Sequence, residues 1–166
     1  MKYFTPELYL RFNSRDRAEV ANAHEEWEGA MQAYRRHLRD IGPRMNDNVR
    51  EFADSLCLHD GEYLGMAVVP LPDNGSSVAM LLIRQDVARV LLVYFLTEQP
   101  LTEEVKQRWP FSKERVHWLY DEFDVGDSGA QQHEMLLSNG RIVTLRFHKM
   151  QVMRLDIDER VAVAQQ

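Results

Sequence analysis

The chain has 166 residues and a mass of 19.5 kDa, with 45% hydrophobic and 28% charged residues. A folded chain of this size buries roughly 70% of its unfolded surface, so it holds a core without disulfides or a structural metal; a fibre, a membrane bundle and a disulfide scaffold are excluded. Against 26 acidic side chains stand 20 basic ones, for a formal charge of −6, and residues 1–60 alone hold 9 basic and 11 acidic ones. No basic arm is available to displace counterions from nucleic acid.

The amino-terminal part reads as helical. Thr5-Pro6-Glu7 supplies a hydroxyl cap, a proline whose missing N–H costs nothing, and an acid at the positive helix end. Leu8, Tyr9 and Phe12 give the short apolar face of this helix. Asp16 with Glu19 three residues on resembles a capping box. Val20, His24, Trp27, Met31, Tyr34, Leu38 and Ile41 then alternate steps of four and three residues, a core-facing helical stripe ended by Gly42-Pro43. A third helix is expected behind Asn48 as cap, presenting Val49, Phe52 and Leu56.

From residue 58 the period falls to two. Strands are expected at Leu58–Val69, Ser77–Arg84, Ala88–Leu96, Arg115–Val125, Gln131–Ser138 and Arg141–Met153. Turns are expected at Pro70–Gly75, Gly126–Gly129 and Asn139-Gly140, and a short helix over Thr102–Arg108. Helices first, then strands on short turns, predict an α+β fold: N-terminal helices packed on a mostly antiparallel meander of about six strands. The expected organisation is one domain over 1–166, with helices in 1–57, sheet in 58–155 and a tail at 156–166.

The opening Met1-Lys2-Tyr3-Phe4-Thr5-Pro6-Glu7-Leu8-Tyr9 resembles the start of an uncharacterised bacterial domain-of-unknown-function family. Leu58-His59-Asp60, the Trp118–Phe123 run and the closing Ser138-Asn139-Gly140-Arg141 hairpin resemble it too. That resemblance implies no particular activity. Helices followed by a meander also resemble, in architecture alone, bacterial immunity proteins that neutralise toxins.

A two-residue loop at Asn139-Gly140 would pair Ser138 with Arg141 and His133 with Arg146. His133, Arg146 and His148 would then share a face, with Glu122 beside them on the preceding strand: a candidate ligand set for a divalent metal or, given Arg146, for an anion. Trp118 and Tyr120 beside Asp121, Glu122, Asp124 and Asp127 form a candidate interface that would steer a basic partner. His59, Asp60 and Glu62 are secondary candidates, the two carboxylates sharing a strand face. Cys57 reads as a buried or half-buried small hydrophobe.

No P-loop, Gly-x-Gly-x-x-Gly, Gly-x-Ser-x-Gly, His-Glu-x-x-His or paired Cys-x-x-Cys occurs. The leading expectation is a non-enzymatic, cytoplasmic protein-binding module, immunity-like, binding neither nucleic acid nor membrane, with no resident cofactor. A metal-dependent hydrolase using His133, His148 and Glu122, or a small-anion binding domain using Arg146, are the alternatives. The heptad stripe allows a monomer or a helix-mediated dimer.

Overall fold

Capping chemistry places the first two helices where the sequence puts them. In a computed structural model, which describes residues 1–72, 76–111 and 114–156, α1 spans Pro6–Phe12 and the Thr5 hydroxyl accepts the Leu8 N–H at 3.2 Å. The second helix, α2, runs Arg17–Ile41, and Asp16 Oδ1 accepts the Ala18 N–H at 2.8 Å. A 3-10 turn at Gly42–Arg44 leads to α3, Asp47–Ser55. Its cap position is Asn46, not Asn48. Both asparagine side chains instead reach the sheet: Asn46 Nδ2 donates to the His148 carbonyl at 2.6 Å and Asn48 Nδ2 to that of Met150 at 3.2 Å. Docking α3 against a strand outweighs local capping here.

The strands are β1 Glu62–Pro70, β2 Ser77–Gln85, β3 Ala88–Leu96, β4 Leu101–Glu104, β5 Trp118–Val125, β6 Gln131–Leu137 and β7 Arg141–Asp156. They form one antiparallel sheet in the order β1-β2-β3-β7-β6-β5, with β4 also on β7. The fold is α+β, with seven strands in the sheet. The expected helix over Thr102–Arg108 is replaced by β4. The reason is β7, whose 16 residues outrun β3: β3 leaves at Leu96↔Phe147, and β4 continues along the same edge from Leu101↔Thr144. Unpaired backbone on β7 recruits a segment with no strand signature of its own. The expected Pro70–Gly75 turn falls partly, and the 156–166 tail almost wholly, outside the described residues.

The sheet is open but its edges meet at one corner. Glu62 bridges His117, the Trp118 N–H donates to the Gly61 carbonyl at 2.8 Å, and the Tyr63 N–H donates to that of Val116 at 2.7 Å. One apolar cluster joins Ile41, Val49 and Phe52 of the helical part to Leu81, Leu92, Phe147 and Met150 of the sheet. The other side of β5 is guarded by α2, where the Tyr34 hydroxyl accepts the Phe123 N–H at 2.7 Å, a cover for an otherwise open edge.

Candidate functional site

The stripe on α2 is not simply core. Only Ala23 and Ile41 of this helix are buried. Trp27, Met31, Tyr34 and Leu38 are half-buried. They form one wall of a half-open cleft of about 1140 Å³, with Phe52 and Ala53 of α3 opposite and Tyr120, Asp121 and Phe123 of β5 at its base. Aromatic rings brace the wall: Phe4 lies 4.7 Å from Trp27 between centroids, and Trp27 lies 4.3 Å from Tyr120. Burial pushes the Tyr34 hydroxyl far above the ordinary tyrosine range, so it stays protonated beside Asp121.

Behind the base lies a closed polar chain. His133 has no solvent exposure, and its ring stacks on Phe123 at 3.8 Å. Its Nδ1 is 2.8 Å from the Tyr94 hydroxyl and its Nε2 is 3.0 Å from Asp121 Oδ2. Asp121 Oδ1 accepts the Trp118 indole N–H at 2.9 Å. Burial raises the Tyr94 hydroxyl well above its usual value, so it keeps a proton to donate to Nδ1, and the Nε2–H then donates to the Asp121 carboxylate. Every polar atom in the chain is matched. Only Asp121 lines the cleft, so the imidazole orients that carboxylate and cannot itself touch a bound molecule.

The sequence-derived cluster is taken apart by one residue of register. The β6–β7 loop holds Ser138, Asn139 and Gly140, with Gly140 at φ 79° and its N–H on the Leu137 carbonyl at 3.0 Å. This is a three-residue hairpin rather than a two-residue one. His133 therefore faces Leu145, and Gln132 faces Arg146; a shift of one residue moves each side chain to the other face. Arg146 is exposed on that other face, paired with Gln132 and with Glu98. His148 is exposed and sits at the β3–β7 irregularity. Among the described residues no three His, Cys, Asp or Glu side chains group as metal ligands.

Glu122 has a different task. Only 5% exposed, it accepts the backbone N–H groups of Lys2, Tyr3 and Phe4 at 2.7, 2.8 and 2.6 Å. The Met1 ammonium lies 3.2 Å from Glu134, the residue opposite Glu122 on β6. These two carboxylates fix the first residues across β5, and so place Phe4 in the cleft wall.

The candidate interface is redistributed. Trp118 is fully buried, Tyr120 is half-buried in the cleft, Asp121 is engaged inward, and Asp124 pairs with His37 at 3.2 Å. The acidic run is thus split, with Asp121 and Glu122 turned inward and Asp124 and Asp127 at the surface. Among the secondary residues, His59 is exposed at the cleft and pairs with Asp60 at 3.0 Å, while Glu62 turns away to Arg84. Asp60 adopts φ 64°, which breaks the strand geometry that would align the two carboxylates. Cys57 is exposed and lines the cleft, because α3 ends at Ser55 and the following extended link buries Leu58 instead.

Sequence reasoning missed Arg35, Arg39 and Arg50 at this cleft, and Tyr94 behind it. For Arg35 and Arg39 a signal existed. Arg35 and Arg39 have no acidic residue three or four positions away on α2, so helix-surface pairing leaves them unneutralised. Tyr94 stood within an apolar run and carried none.

No family model matches the chain, and no curated protein matches it. Among the described residues no helix is long and apolar enough to cross a membrane.

Proposed function

We propose that the protein is a non-enzymatic binding module, and that the cleft between α2, α3 and β5 receives an apolar segment of a partner protein. The cleft itself carries the reading. At about 1140 Å³ and half-open, it exceeds the roughly 300–1000 Å³ of sites that enclose a small ligand. Its aromatic and aliphatic walls match the groove in which an amphipathic helix docks. The His133 imidazole is sealed behind Phe123, which argues that it positions Asp121 rather than transfers a proton, and the imidazole that does line the cleft, His59, is held by the exposed Asp60 beside it. The single exposed cysteine fits a working place in a reducing cytoplasm.

Site-specific photo-crosslinking in the native host tests this. With benzoylphenylalanine replacing Met31, the account expects a discrete adduct that the same probe at exposed Glu103 on β4 does not give. Matching adducts from both positions, or none from position 31, would remove the cleft from the function.

A further inference from the structure

The walls of the cleft are apolar, but its charged residues are unevenly paired. Five formally charged side chains other than His59 line it: Arg35, Arg39, Arg50, Asp54 and Asp121. Asp121 has both oxygens engaged, by Trp118 and His133. Arg50 is tied to Asp47 at 2.5 Å on its own helix. Arg35 and Arg39 stand one turn apart on α2, both exposed, and among the described residues neither has a carboxylate partner. Like charges four residues apart destabilise a helix slightly. Arg39 is offset by the negative helix end, being in the last turn; Arg35 is not. The guanidinium pair thus borders an apolar trough with no ion-pair partner among the described residues, and the one cleft carboxylate likewise without one, Asp54, stands on the other helix, α3.

We infer that the segment the cleft receives is acidic: an amphipathic helix whose apolar side chains enter between α2 and α3 while its carboxylates meet Arg35 and Arg39. This rests on the cleft being the binding surface, and it reverses the basic partner expected from the acidic run on β5. Guanidinium forks donate paired hydrogen bonds to carboxylates, and next to apolar walls they are screened less than on an open surface.

The test uses three fluorescein-labelled helical peptides of about 14 residues, built from Leu with Glu, Leu with Gln, or Leu with Lys, so that all share one apolar face. Sodium dodecanoate below its micelle concentration is the fourth probe. The full chain should bind the Glu peptide about tenfold more tightly than the Gln peptide, and the Lys peptide least. The Glu preference should vanish in Arg35→Ala/Arg39→Ala, whose melting temperature checks that it is folded, and should shrink as salt is raised. Equal binding of Glu and Gln peptides, or preference for Lys, overturns the acidic partner and leaves the cleft reading standing. Binding of no peptide overturns both. Dodecanoate binding without peptide binding overturns the protein segment and assigns the cleft to a small amphiphile.

Discussion

The Glu122 carboxylate accepts the Phe4 N–H at 2.6 Å across a separation of 118 residues. That bond, with its neighbours from Lys2 and Tyr3, ties the start of the chain to the edge strand and sets Phe4 against Trp27. Hydrogen bonds to a buried charge contribute about 1.5–3 kcal/mol each at most, and removal strands the amides. Glu122→Gln should therefore cost about 2 kcal/mol and Glu122→Ala about 3 kcal/mol in urea unfolding. Exchange of the Tyr3 and Phe4 amides should quicken in both. Unchanged exchange would mean that the clamp does not hold these residues in solution.

The Tyr94–His133–Asp121 chain makes a second prediction. Tyr94→Phe leaves His133 Nδ1 without its partner in a fully buried place, a loss of about 1–3 kcal/mol. Combined with His133→Leu, the total should fall short of the sum by more than about 0.5 kcal/mol. Additive costs would contradict a hydrogen-bonded pair.

Alkaline pH should loosen the fold. Burial raises Tyr63 and Tyr120 from an ordinary 10.0 to about 12, and pushes Tyr34 and Tyr94 up as well. Between pH 10 and 12 the unfolded chain has released these protons and the folded chain still holds them. Stability is therefore complete below pH 10 and falls as pH rises toward 12. Urea midpoints taken alongside tyrosinate absorbance should drop over that window; a flat profile would contradict burial of these hydroxyls.

The hairpin turn separates strain from collision. Gly140 has φ 79°, and a Cβ there would lie 2.9 Å from Trp109 Cγ, whereas Gly129 has φ 81° and open space around it. Gly129→Ala should cost about 1 kcal/mol from backbone strain alone. Gly140→Ala should cost about 2–4 kcal/mol, because Trp109 must also move and its indole N–H is bonded to the Ser138 carbonyl at 2.8 Å. Equal melting temperatures for the two variants would show that Trp109 does not pack on the turn.

How much of this was legible depended on whether the signal was local. The Thr5 and Asp16 caps, the α2 stripe and the limits of β3 followed from neighbours in sequence, where caps and periodicity act. β4 did not, because Leu101–Glu104 becomes a strand only beside an unpaired stretch of β7. The His133 cluster failed through one residue of loop length, since Ser138 joined the turn and reversed every face along β6. Trp27, Met31, Tyr34 and Leu38 were singled out correctly as one face. That this face borders a cleft depends on how far α2 stands from α3, a tertiary spacing that no local pattern encodes.

The most direct test of the cleft as working surface is methyl NMR of the full chain titrated with the Glu peptide. Met31, Leu38 and Leu56 report on the cleft, and Met80, Leu82 and Met153 on other parts of the molecule. The account predicts shifts confined to the first group and abolished by Arg35→Ala/Arg39→Ala. Shifts centred on the second group would contradict it.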